Sequence, residues 1–148
     1  MPTGGSIGRE HSRLLASVSA ALAKLLADCS KFSRLEKNIV SFSQKGEEIV
    51  RDIEHLGEFY QSSTNLAIKE LAADINDALD AFQTYVMERD GRDDADHVIG
   101  LTRVGKHLRT ALQKASSGID KLARRGVQRL DTRAVVAVTL PVTDEESA

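Results

Sequence analysis

The sequence predicts an all-α fold, namely an elongated three-helix antiparallel, coiled-coil-like bundle with a short extended C-terminal segment. Only two prolines occur in 148 residues, Pro2 and Pro141, so the long stretch between them is open to helix formation. Apolar side chains recur every three or four residues through most of that stretch, which is the spacing of one helix face. Hydrophobic residues make up 41% and charged residues 28%, a balance typical of a folded domain.

Composition divides the chain into three parts. Residues 1–8 are predicted to be a flexible leader, residues 9–132 the helical domain, and residues 133–148 an extended segment with an acidic tail. A single cysteine excludes an intrachain disulfide framework and favours a reducing, cytoplasmic location. No apolar run approaches the roughly 18 residues that a membrane-spanning helix needs.

The first predicted helix covers residues 9–60 and carries a coiled-coil seam. From Cys29 through Phe32 to Leu35 the seam takes two consecutive three-residue steps, a stammer-like register shift. Such a helix would be about 75 Å long, so it is expected to coil, to bend at the shift or to belong to an oligomer, with Gly46 and Gly57 as weak points. The seam positions expected to make helix–helix contacts are Leu15, Leu22, Leu25, Phe32, Ile39, Phe42 and Ile53.

Two further helices follow. Helix-capping residues at 62–65 predict the first break, Asp90-Gly91 predicts a turn, and Asp93 or Asp94 is expected to cap the third helix. The second helix has an apolar stripe at Ile68, Leu71, Ile75, Leu79 (or Ala78), Phe82 and Val86 (or Tyr85). The third has one at Leu101, Val104, Leu108, Leu112, Ala115, Ile119, Leu122, Gly126 and Leu130.

Charge is segregated along the chain although the net charge is only −2. Residues 51–100 hold four basic and twelve acidic residues, whereas residues 101–133 hold nine basic and two acidic ones. Such segments can pair helix against helix within a bundle or can meet a charged partner. The face of the third helix opposite its apolar stripe is expected to carry Arg103, Lys106, Lys114, Lys121, Arg124 and Arg125.

This basic face has three interpretations. It is a solvated face or neutralises the acidic middle of the chain, or it is a surface for an anionic membrane, or a surface for nucleic acid. The membrane interpretation rests on Lys114, Lys121, Arg124 and Arg125. Aromatic residues make up only 4% of the chain, which disfavours nucleic acid because base stacking needs aromatic side chains.

Sequence signatures of catalysis or cofactor binding are absent. No glycine-rich phosphate loop and no HExxH pair occurs, and one cysteine cannot build a cysteine-based zinc site within one chain. Cys29 falls on the apolar seam, which favours a small buried side chain over a nucleophile. The spacings Asp52…His55 and Asp94…His97 supply at most half of a di-iron ligand set. The sequence therefore predicts no enzyme, no cofactor and no metal.

The C-terminal segment changes character after Asp131. It is β-branched and apolar up to Pro141, so it is expected to add a strand to a partner's sheet or to lie as a strap across the bundle. The residues expected to make these contacts are Val135, Val136, Val138 and Leu140.

Residues 18–85 resemble the front half of a BAR domain, in particular the ciliary, Chibby-interacting branch. The matching positions are Val18-Ser19, Cys29 with Phe32, Lys45 with Glu47, Ile49-Val50, Ile53, Leu71-Ala72-Ala73-Asp74 and Phe82-Gln83-Thr84-Tyr85. The resemblance implies long kinked helices that dimerise into a crescent whose basic surface rests on anionic membrane. BAR domains are usually longer than this whole chain, and their second helix continues past the turn at Asp90-Gly91.

These observations favour a non-catalytic scaffold or adaptor subunit that acts by helix–helix association in a homo-oligomer or a hetero-complex. The alternative is a BAR-like module that binds anionic membrane through the basic face of the third helix.

Overall fold

A computed structural model describes the backbone of residues 4–88 and 93–132, with side chains described for 8–88 and 93–125. All regular secondary structure in these ranges is α-helical, which confirms the predicted fold class. The helices are α1 (Gly4–Asp28), α2 (Phe32–Lys37), α3 (Ile39–Gly57), α4 (Ser62–Met87) and α5 (Asp94–Thr132). The start of α1 falls within the segment predicted to be a flexible leader.

The four long helices close into a ring around one apolar core. Helix α1 packs against α3 and α5, and α4 packs against the same two helices. Short connections make consecutive long helices antiparallel, as shown by His11 near the start of α1, which contacts Tyr60 just after α3. The described residues therefore form an up-down-up-down four-helix bundle with α2 as a short connecting helix, instead of the predicted three-helix arrangement.

The predicted helix over residues 9–60 is interrupted at the predicted register shift. Helix α1 ends at Asp28, α2 occupies Phe32–Lys37, and α3 starts at Ile39. Cys29 and Leu35 are buried on either side of the interruption. Because the chain reverses here, the apolar faces of α1 and α3 pack in one core. A continuous helix would be about 75 Å long, and its two halves could not pack against each other.

The starts of α4 and α5 match the sequence pattern, whereas the predicted turn at Asp90-Gly91 lies outside the described residues. Helix α4 begins at Ser62, in the predicted cap cluster, and the Asn65 side-chain amide donates a 2.6 Å hydrogen bond to the Gly57 carbonyl across the turn. Asp93 caps α5, since its carboxylate accepts a 2.7 Å hydrogen bond from the Asp96 backbone N–H. Of the predicted α4 stripe, Ile68, Ile75, Leu79 and Phe82 are buried, and Leu71 and Val86 are partly buried.

Two glycines of α5 let neighbouring aromatic rings lie directly on its backbone. A Cβ atom at Gly105 would lie 2.5 Å from Cδ1 of Phe32, the first residue of α2. A Cβ atom at Gly100 would overlap the hydroxyl of Tyr85 on α4. Glycine is therefore required at both positions for α2 and α4 to approach α5 this closely.

We expect Gly105→Ala to destabilise the fold by about 1–3 kcal/mol, because the added methyl group overpacks against the Phe32 ring. The effect opposes the gain of about 1 kcal/mol that alanine brings to a helix interior. Gly57→Ala is the matched control, since its Cβ would lie 3.4 Å from Cγ2 of Ile68, an ordinary contact. Urea unfolding of both variants measures the difference, and equal stability of the two would contradict the packing described here.

Candidate interaction surfaces

The predicted seam residues lie inside this chain's own bundle. Five of them are buried in the core, namely Leu15, Leu22, Leu25, Phe42 and Ile53. Phe32 and Ile39 are partly buried and pack against the core. In this structure the seam therefore makes its helix–helix contacts within one chain, and its use between chains stays a prediction. The predicted contacts at Val135, Val136, Val138 and Leu140 lie outside the described residues.

The outer face of α5 carries a row of exposed cations. Arg103, Lys106, Lys114, Lys121, Arg124 and Arg125 are all exposed, and we call them the basic stripe. From Arg103 to Arg125 the stripe extends about 33 Å at 1.5 Å per residue. Asp120 is the only acidic residue between its ends. The prediction that the basic side chains face away from the apolar stripe is confirmed.

The neighbouring helix α4 carries the opposite charge. Glu70, Asp74, Asp77 and Asp80 are exposed on its outer face, and we call Glu70, Asp77 and Asp80 the acidic stripe. Lys69 is the only cation within Ser62–Met87. Exposed carboxylates continue on the adjacent α3, at Glu47, Glu48 and Glu54, although α3 also carries exposed Lys45 and Arg51. The outer faces thus differ in charge, basic at α5 and acidic at α4.

The register between α4 and α5 is fixed by two contacts. Tyr85 lies opposite Gly100, and Leu71 lies opposite Gly118. Because the two helices are antiparallel, the last part of the basic stripe, Lys121–Arg125, lies level with the first residues of α4, at about 63–68. That part of α4 contains no carboxylate.

Two members of the acidic stripe, Asp77 and Asp80, lie level with about residues 105–112 of α5, roughly 15 Å from Lys121 along the helix axis. Glu70 lies level with about residues 115–119, between Lys114 and Lys121. In the side chains that the structure describes, no ion pair joins a cation of α5 to a carboxylate of α4. The interpretation that the basic face is solvated or neutralises the acidic middle of the chain stays a prediction.

The N-terminal end of α5 is held by a polar cluster. His97 is buried, and its Nε2 lies 2.7 Å from Oε2 of Glu36 on α2. The Tyr85 ring stacks on the His97 imidazole at a centroid distance of 5.4 Å, and its hydroxyl donates to the backbone carbonyls of Asp96 and His97. These contacts bring α2, α4 and α5 together. The Glu36–His97 pair joins residues 61 apart in the chain, so no local sequence spacing indicates it.

Cys29 is fully buried, and burial raises the pKa of its thiol to about 11 despite the nearby positive charge of Arg109. A thiol with this pKa holds almost no thiolate at neutral pH, and only the thiolate is an effective nucleophile. The structure therefore places Cys29 as the small core side chain that the sequence favours.

His11 is the second buried histidine. It lies between the rings of Phe59 and Tyr60, each at a centroid distance of 5.3 Å, and its Nε2 is 2.5 Å from the Tyr60 hydroxyl. Burial lowers the pKa of His11 below its ordinary value of 6.5, because the imidazolium would lose its hydration. His11 is thus a neutral packing group that joins α1 to the turn after α3.

Metal-binding and membrane-spanning features can be assessed over the same residues. No group of three or more His, Cys, Asp or Glu side chains is placed to hold a metal ion in the described part of the chain. Within that part, no helix combines the length and hydropathy that crossing a bilayer requires.

A surface groove of about 220 Å³ lies where α1, α2 and α3 meet. Buried Leu35 and Phe42 form its floor, and exposed Asp28, Arg34 and Lys45 stand at its rim. The rim carries charges of both signs, and none of the lining residues has a buried polar atom without a hydrogen-bond partner. The lining therefore does not favour any one class of ligand. Its geometry fits a packing gap at the corner of the bundle.

Comparisons with known proteins were made at three levels. A scan against protein-family models and searches of curated proteins and of solved structures gave no match. The resemblance of residues 18–85 to BAR domains therefore stays a prediction.

We expect the stability of the protein to fall as the pH drops below about 6.5. The unfolded chain protonates His11 near its ordinary pKa of 6.5, whereas the folded chain does so only at lower pH. The contribution of neutral His11 is therefore complete above pH 6.5 and is lost as pH falls toward the folded-state pKa. Thermal unfolding between pH 5 and 8 measures this slope.

His11→Phe should weaken that pH dependence while keeping the ring contacts with Phe59 and Tyr60. His107→Asn, at an exposed position, is the control and should leave the slope unchanged. Equal slopes in the wild type and His11→Phe would show that His11 is not buried as described.

Proposed function

We propose that this chain is a non-catalytic scaffold or adaptor subunit that binds other protein surfaces through the outer faces of its bundle. The observation that carries the proposal is the pair of exposed stripes of opposite charge on α4 and α5, between which the described side chains form no ion pair. Complementary charge on binding surfaces speeds association and selects partners. A reducing, cytoplasmic location fits the free thiol of Cys29.

The absence of a catalytic role is part of this proposal. Cys29 and two of the four histidines, His11 and His97, are buried in packing positions instead of facing a cleft. A nucleophile or general base must reach its substrate, so these positions favour a structural role for all three. Binding through outer helix faces needs no such access.

We expect the full chain to associate in solution in a concentration- and salt-dependent manner. Exposed charge pairs are screened as ionic strength rises, because the Debye length shrinks from about 30 Å at 0.01 M to about 10 Å at 0.1 M salt. Sedimentation velocity at increasing protein concentration, in low and moderate salt, measures this association. A strict monomer at every concentration and salt level would contradict the proposal.

The second candidate function is binding to an anionic membrane surface. The basic stripe favours it, since its cations are exposed along about 33 Å of a single helix and could all face one plane. The likeness of residues 18–85 to BAR domains agrees with this candidate. Because the outer face of α5 has few apolar side chains, adsorption would depend on charge instead of insertion.

Replacing Lys121, Arg124 and Arg125 together with Glu tests the membrane candidate. Each cation near an anionic surface contributes about 1 kcal/mol, so losing three weakens binding by about 3 kcal/mol, more than 100-fold. Co-sedimentation with vesicles containing phosphatidylserine measures the effect. The matched control is Lys121→Arg, Arg124→Lys and Arg125→Lys, which keeps the charge and should keep binding. Vesicle binding that survives the reversal with helicity intact would exclude this surface.

A further inference from the structure

We infer that the basic stripe of α5 binds the acidic stripe of α4 on a second copy of this chain. The inference rests on the proposed function and names the partner for the two charged surfaces. It assigns both stripes to one interface, so each copy offers one half of the interface on α5 and the complementary half on α4.

The spacing of the charges on the two helices is the same. Lys114, Lys121 and Arg124 are separated by seven and then three residues, and Glu70, Asp77 and Asp80 are separated by the same steps in the same chain direction. Both sets therefore place charges about 10.5 Å and 4.5 Å apart along a helix axis. A parallel alignment of α5 with α4 of another copy brings the three cations opposite the three carboxylates.

The same pairing cannot form within one chain. There α4 and α5 are antiparallel, which reverses the order of the spacings, and the contact between Leu71 and Gly118 holds the register. Lys121 and Arg124 consequently face a part of α4 without carboxylates. A second copy is free to adopt the parallel alignment that the first copy's own helices exclude.

An exposed apolar residue lies on the same face as the acidic stripe. Leu66 precedes Glu70 by one helical turn, and 63% of its surface is exposed. In the parallel alignment Leu66 comes opposite Thr110, whose methyl group can cover part of it. Burial of Leu66 adds a contact that salt does not screen, whereas exposed ion pairs alone contribute little.

The interface has a consequence for the form of the assembly. It joins two different surfaces, α5 of one copy and α4 of the other. Because α4 and α5 are antiparallel within a chain, a two-fold axis perpendicular to the helices makes α5 of each copy parallel to α4 of the other. Both stripes of both copies then pair at once, and the assembly is a closed dimer.

A charge-swap experiment on the full chain tests the pairing. One variant carries Lys114→Glu, Lys121→Glu and Arg124→Glu, and the other carries Glu70→Lys, Asp77→Lys and Asp80→Lys. We expect each variant alone to stay monomeric under conditions where the wild type assembles, because its two stripes then have the same sign. An equimolar mixture should regain assembly, since each variant supplies the stripe that the other has lost. Light scattering and sedimentation velocity report size, and circular dichroism reports helicity.

The matched control reverses three exposed cations away from both stripes, Lys24, Lys37 and Lys45, to Glu. It has the same net charge as the first variant and should still assemble. Loss of assembly in this control would assign the effect to net charge and overturn the inference.

Three outcomes separate the hypotheses. Wild-type assembly that neither variant alters overturns the pairing while leaving the proposed scaffold function standing. A wild-type chain that never assembles contradicts both. Assembly lost in both variants but not regained in the mixture shows that the stripes do not face each other, and it directs the basic stripe to vesicles or nucleic acid as its ligand.

Discussion

The fold depends on burying two apolar helix faces, those of α1 and α3, in the same core. Both faces belong to one long periodic stretch of sequence, and they can meet only because the chain reverses between Asp28 and Ile39. Once α1 and α3 are antiparallel, α4 and α5 complete a ring around the shared core. The core then contains side chains from all five helices, including Cys29 and Leu35 at the reversal itself.

Closure of the ring explains why the surfaces available for binding are the charged outer faces of the helices. In a closed bundle the apolar helix faces are buried in the core. The exposed outer faces are mainly charged, so they bind other molecules chiefly through charge. Helices α4 and α5 present opposite charges, and the antiparallel register set by Tyr85 with Gly100 keeps the last cations of α5 away from Asp77 and Asp80 of α4. The structural register and the separation of charge in sequence therefore act together to leave two complementary surfaces unpaired.

The fold class, the apolar stripes of α4 and α5, the basic face of α5 and the cap at Asp93 could be predicted. Each depends on residues within a few positions of one another. The reversal between α1 and α3 could not be placed with certainty, because no glycine or proline marks it and it depends on the burial of Cys29 and Leu35. The Glu36–His97 pair joins positions far apart in the chain and leaves no local pattern. Helices that pack within one chain and helices that pack between chains have the same seam spacing. The periodicity therefore could not show whether Leu22 and Ile53 contact their own chain or another one.

The most direct test of the account is the distance between Ser12 on α1 and Glu58 just after α3, both exposed. Spin labels on cysteines at these two positions, with Cys29 replaced by Ala and unlabelled chain in excess, report the distance within one chain by pulsed electron paramagnetic resonance. The bundle predicts a separation of about two helix diameters, roughly 20 Å. A separation of about 70 Å, the length of a continuous helix between these residues, would show that the seam does not fold back and would contradict the account.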